Sequence, residues 1–129
     1  MAASRIIIVD DHTMFREALR SSLETTFTNV DIEGAGSLDE LEMKLAETKD
    51  TELILLDLKM PRLSGLAVLA KLKSNRETNA IPVVIVSAKS DSDSLMEGQR
   101  AGAADYLIKP FNIEQLRLVV QRQCAIRGD

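Results

Sequence analysis

Little in this chain suits a stapled, embedded or exported protein. Its single cysteine, Cys124, rules out an internal disulfide and fits a reducing compartment, so the cytoplasm is the expected location. No apolar run approaches the roughly 20 residues of a membrane span. The opening "MAASR" is too short and too polar for a secretion signal. Positive charge is in deficit. The formal net charge is −4, which leaves no electrostatic footprint for direct nucleic-acid binding. Repeats and low-complexity tracts are missing too, and "SNRETNAIP" reads as an ordinary loop rather than a linker.

What remains is a globular composition, with 45% apolar and 28% charged residues. A length of 129 residues suits one domain, 1–129, with a real core. "RIIIVD", "TELILLD" and "IPVVIVS" carry continuous apolar runs of strand length, which suit strands covered on both faces. "NVDIEG" alternates apolar and acidic residues and "ADYLIKP" is mixed, so these two read as sheet edges. Helical patterns fill the intervals. One places Met14, Phe15, Ala18, Leu19 and Leu23 on a single face, and another does so for Leu38, Leu41 and Leu45. Ser37, Ser64 and Asn112 stand where helix caps are expected. The helix near "SDSLMEGQRAG" has a thin apolar stripe and is expected to be short or mobile.

Strands alternating with helices predict a parallel, doubly wound α/β sheet. With the apolar strands central, the flavodoxin-like order 2-1-3-4-5 over five strands and five helices satisfies the pattern. Ligands of such sheets bind beyond the carboxyl ends of the strands. There the chemistry gathers: Asp10 and Asp11 end the first strand, Asp57 the third, Ser87 the fourth and Lys109 the fifth. The second strand ends in "EGAGS", with no comparable chemistry.

Carboxylates brought together repel one another and need a positive partner to remain ionised. Oxygen ligands suggest a hard cation, with Mg²⁺ the natural candidate. Lys109 adds a second positive centre suited to a phosphoryl oxygen. Ser87 can donate to the same group. A carboxylate can itself attack phosphorus, giving an aspartyl phosphate, with the metal and the lysine stabilising charge on the transferring group.

"VDD", "LILLDLKMPRLSG", "VVIVSA" and "DYLIKPF", in that order and spacing, resemble the receiver domain of bacterial two-component response regulators over nearly the whole chain. The resemblance implies that Asp57 accepts a phosphoryl group from a histidine kinase or phosphotransfer protein. It implies Mg²⁺ on Asp10, Asp11 and Asp57, with the backbone carbonyl of Lys59 as a further ligand. Ser87 becomes the switch hydroxyl, Lys109 the phosphate-binding lysine and Tyr106 the switch aromatic. A cis bond between Lys109 and Pro110 is implied as well. Such a domain is a phosphoacceptor assisting its own phosphorylation and dephosphorylation rather than an enzyme. It acts through the face of the fourth helix, fifth strand and fifth helix on an effector, an output domain or a second copy. Lys59 and Lys89 flank the path of the hydrolytic water in that family and are expected to tune phosphoryl lifetime. "IIIVDDHTMFREAL" is similar to receivers joined to helix-turn-helix outputs, and "DYLIKPFNIEQL" to chemotaxis and winged-helix types. The chain therefore reads as a stand-alone receiver or as the N-terminal part of a longer regulator, whose output domain could regulate transcription.

Taken singly, each residue has a plainer reading. Asp11 could cap the first helix, Tyr106 could be edge packing, and His12 reads as a solvent-facing residue of the first helical turn. Cys124 falls on apolar helical spacing. Met60 and Pro61 read as loop structure, with Gly65 permitting a close turn. Leu118 and Ile126 flank a core stripe and are candidates for a dimer surface. Three competing functions remain. The first is a receiver-like interaction module acting without phosphorylation. The second is a Mg²⁺-dependent phosphohydrolase, against which Lys59 stands where a second aspartate is usual. The weakest is a flavin-binding domain, since no Ser/Thr/Gly-rich phosphate loop follows the first strand and "DDHTMF" would repel a phosphate unless a metal intervened.

Overall fold

The computed structural model describes residues 4–47, 50–60, 63–88 and 92–123. Pro61, Lys89, Cys124 and Ile126, singled out above, lie outside the described residues. The main strands are β1 (Ser4–Val9), β2 (Val30–Ala35), β3 (Thr51–Asp57), β4 (Val83–Ala88) and β5 (Asp105–Lys109). They form one sheet in the order β2-β1-β3-β4-β5, with every pairing parallel, as the burial pattern predicts. Five helices connect them: α1 (Thr13–Thr26), α2 (Leu38–Leu45), α3 (Gly65–Ser74), α4 (Ser92–Arg100) and α5 (Ile113–Gln123).

The continuous apolar runs divide between two cores because side chains alternate across a strand. Ile6 and Ile8, Leu53 and Leu55, and Val84 and Val86 face α1 and α5. Ile7 and Val9, Ile54 and Leu56, and Val83 and Ile85 face the opposite core with Leu41, Leu69 and Leu95 of α2, α3 and α4. Burying both faces of the central strands leaves no polar residue within the runs Ile6–Val9, Leu53–Leu56 and Val83–Val86, and this erases the alternation from the sequence.

The cap residues act as their types suggest. Ser37 accepts from the Glu40 amide at 3.2 Å and Ser64 from the Ala67 amide at 3.4 Å. Asn112 and Gln115 cap each other reciprocally, with Oδ1 accepting from the Gln115 amide at 2.8 Å and Oε1 from the Asn112 amide at 2.9 Å. Helix α4 is short, at nine residues, and buries only Leu95 and Gly98.

Helix α1 corrects two expectations. Met14 is 88% exposed and Ala18 is also exposed, so neither belongs to the inward face. That face runs through Phe15, Leu19 and Leu23, flanked by Arg16. Arg16 takes the place because Gly34 leaves room for its stem and Gly36 for its guanidinium, and a Cβ on either glycine would come within 2.8 Å of that side chain. Asp11 does not cap the helix: the N-cap is His12, with no side-chain cap bond.

Candidate functional site

The strand register brings the polar ends to one rim. Val9 pairs with Leu56, so Asp10 falls level with Asp57, which pairs in turn with Val86. Ser87 pairs with Ile108, and Ala88 with Lys109. Asp10, Asp57 and Ser87 are buried, although their neighbours along the strands are apolar. Ligand atoms of Asp10, Asp11, His12 and Asp57 all lie within 4.8 Å of one another, a grouping able to hold a metal ion.

Hydrogen bonding within this group is incomplete. Asp10 Oδ1 accepts from the His12 amide at 2.8 Å and lies 3.1 Å from His12 Nδ1. Asp57 Oδ1 accepts from the Lys59 amide at 3.2 Å. Asp10 Oδ2 and Asp11 Oδ1 are buried and make no hydrogen bond among the described residues. Buried oxygens of this kind normally find partners, and leaving one bare costs about 1–3 kcal/mol. Two bare carboxylate oxygens beside a third carboxylate fit a hard divalent cation such as Mg²⁺.

The charges agree with that fit. Burial, and secondarily the neighbouring Asp10 charge, pushes the Asp57 carboxyl above its ordinary range. The Lys109 ammonium, the Lys59 amide and His12 pull in the opposite direction without overcoming the rise. Lys109 Nζ lies 3.9 Å from Asp10 Oδ2 and 4.1 Å from the centre of the Phe15 ring. Phe15 is itself held edge-on by Phe111 at 6.3 Å between ring centres. The lysine is thus positioned between an acid and an aromatic wall. The Lys109–Pro110 bond is cis. Tyr106 is 41% exposed.

Beyond Asp57 the chain doubles back. Lys59–Met60 pairs antiparallel with Leu63–Ser64 in a two-residue ribbon. The ribbon leads into α3, and the Gly65 amide donates to the Leu58 carbonyl at 3.1 Å.

Two contributors escaped the reading by strand ends. His12 was placed outward, and its side chain is indeed 63% exposed, yet Nδ1 turns back to within 3.2 Å of Asp11 Oδ1 as well as reaching Asp10. Arg16 Nη1 donates to the Asp10 backbone carbonyl at 2.6 Å and steadies the acidic turn from beneath. Nothing in the sequence around Arg16 signals this contact, because Gly34 and Gly36 come beside it only in the fold.

Known proteins resemble this chain closely. The family described as the response regulator receiver domain matches residues 6–121. The response regulator ArlR of Staphylococcus saprophyticus is 38% identical over 124 residues, covering 93% of this chain and 54% of that protein. The histidine kinase P4 of Formosa agariphila is 31% identical over 118 residues, covering 92% of this chain and 8% of the kinase. This chain therefore spans about half of the first relative and a small part of the second. Among solved structures, the receiver domain of NtrX from Brucella abortus superposes with a TM-score of 0.82 at 28% identity, covering 92% of this chain and 96% of that one.

Proposed function

Since the chain belongs to the response regulator receiver family, we propose that it is a phosphorylation-dependent switch of two-component signalling, with Asp57 as the phosphoacceptor. The observation that carries this is the pairing of buried Asp57 with bare carboxylate oxygens on Asp10 and Asp11, beside Lys109. Asp10, Asp11, Asp57 and the Lys59 carbonyl would hold Mg²⁺, which when bound would neutralise charge on the acids and on the incoming phosphoryl group.

The donor is a phosphohistidine on a histidine kinase or phosphotransfer protein in the cytoplasm. An Asp57 carboxylate oxygen attacks phosphorus. The O–P bond forms as the donor's N–P bond breaks, and the electron pair leaves with the imidazole. Lys109 pairs with a phosphoryl oxygen, and the Ser87 hydroxyl donates to another. Reorientation of Ser87 and Tyr106 then alters the face of α4, β5 and α5, which acts on an effector, an output domain or a second copy. Tyr106, Ile113 and Leu118 supply exposed apolar surface on that face.

Intact mass after incubation with a small phosphodonor and Mg²⁺ tests the reading. Wild type gains one phosphoryl group, and Asp57→Asn gains none. A folded, Mg²⁺-binding wild type that forms no adduct, and shows no response to beryllofluoride, is instead an interaction module independent of phosphate.

A further inference from the structure

We propose that the cation site of this chain is a mixed nitrogen–oxygen site, with His12 Nδ1 as a ligand beside the carboxylates, and that it therefore favours borderline transition-metal ions. This rests on the reading that the acidic group holds a divalent cation.

The spacing supports it. His12 Nδ1 is 3.1 Å from Asp10 Oδ1 and 3.2 Å from Asp11 Oδ1, atoms of two different carboxylates. Adjacent ligands on an octahedral ion with bonds of about 2.1 Å stand about 3.0 Å apart. The imidazole already occupies a ligand's place. Its own backbone holds it there, because the His12 amide donates to Asp10 Oδ1 at 2.8 Å. The residue has left the helix, with an extended conformation at φ −86° and ψ 100°. Asp10 Oδ2, on a side chain only 2% exposed, makes no hydrogen bond among the described residues and has only the Lys109 ammonium at 3.9 Å, which supplies the independent sign of a missing cation. The ring's outer edge faces water, so Nε2 can carry the proton while Nδ1 offers its lone pair.

A nitrogen donor changes selectivity. Imidazole suits nickel, cobalt and zinc, whereas Mg²⁺ gains little from it. His12 is the only histidine in the sequence, so any imidazole signal from untagged protein belongs to it.

Calorimetric titration of untagged wild type, His12→Ala and His12→Asn with Mg²⁺, Mn²⁺, Co²⁺ and Ni²⁺ tests the proposal. Both variants should lose at least about tenfold in Co²⁺ and Ni²⁺ affinity, by comparison with supporting partners whose loss alone costs 10–100-fold. Mg²⁺ affinity should change little. Electron spin-echo spectra of bound Mn²⁺ should carry imidazole nitrogen coupling in wild type and lose it in both variants. Unchanged Co²⁺ and Ni²⁺ affinities with no nitrogen coupling would overturn it. So would tighter binding of every ion, Mg²⁺ included, in the variants, because His12 would then be a cation competing for the site. Mg²⁺ binding with no effect of His12 removes this proposal alone, whereas failure of every ion to bind removes the parent reading as well.

Discussion

Gly65→Ala is the substitution on which the geometry speaks most sharply. Gly65 opens α3 immediately behind the strand that carries Asp57. A methyl group there would stand 2.5 Å from the Asp57 carbonyl oxygen, 2.5 Å from Leu58 Cα and 3.1 Å from Leu58 C. All three are backbone atoms, so no side-chain rotation relieves the contact. Ordinary separations are about 3.5–4.0 Å, so the helix start and the strand end must part by about 1 Å. Overpacking of this kind costs about 1–3 kcal/mol. The same displacement moves the backbone of Asp57, the proposed phosphoacceptor, and misplacement by 1 Å can slow a reaction about 100-fold. Urea unfolding should show the stability loss, and the small-phosphodonor assay should show slowed adduct formation at saturating Mg²⁺. Gly98→Ala is the internal comparison. Its methyl would meet the tip of the Ile85 side chain, which can turn, while alanine in a helix interior gains about 1 kcal/mol over glycine. It should therefore cost less than Gly65→Ala. A Gly65→Ala protein with wild-type stability and rate would refute the tight approach of α3 to Asp57.

Asp57→Asn should stabilise the metal-free protein at neutral pH. Burial raises the native pKa of Asp57, so its contribution to stability is full below the ordinary carboxylate pKa, declines as pH rises through the raised native value and stays lost above it. Thermal melts of wild type and variant should diverge as pH rises across that window, and parallel curves would contradict the assignment. Arg16→Met, which keeps a long stem but loses the 2.6 Å bond to the Asp10 carbonyl, should cost about 1.5–3 kcal/mol in denaturant unfolding. A change below a few tenths would assign Arg16 to stem packing alone. Asn112→Ala removes one half of the α5 capping box and should cost about 1 kcal/mol, with increased amide exchange confined to the first turn of α5.

The parts of this fold that could be read from the chain follow from how each residue signals burial. The runs of Ile6–Val9, Leu53–Leu56 and Val83–Val86 announce central strands because nothing polar survives on either face. The acids, hydroxyl and lysine become legible once those runs are ordered, since each ends its strand. Arginine defeats the same logic. Arg5 and Arg16 count as polar in any periodic pattern, yet Arg5 is wholly buried and Arg16 covers Gly34 with its stem and Gly36 with its guanidinium. Met14 fails the opposite way, as an apolar residue on the exposed side of α1. His12 is solvent-facing as its position suggests, with its side chain 63% exposed, but helical periodicity does not govern an N-cap. Its extended backbone lets the ring fold back toward the strand it follows.

The two ends of β1 make the clearest contrast between structural and functional burial of charge. At the lower end the Arg5 guanidinium donates to Thr51 Oγ1 at 2.9 and 3.2 Å, to Glu47 Oε1 at 2.8 Å and to the Lys44 carbonyl at 2.7 Å. That buried charge is satisfied within the chain, and removing it would leave its partners bare. At the upper end Asp10 is as deeply buried, yet one of its oxygens and one of Asp11's find no donor. The fold tolerates the deficit at one end only. A cation can relieve it there, and binding at hundredfold excess over Kd stabilises the native state by about 2.7 kcal/mol. The Arg5 end has nothing comparable to gain. Slowed hydrogen exchange on Mg²⁺ addition should therefore be strongest in the Asp10–His12 turn and the end of β3. Protection concentrated instead around Arg5 would mean that the cation binds elsewhere.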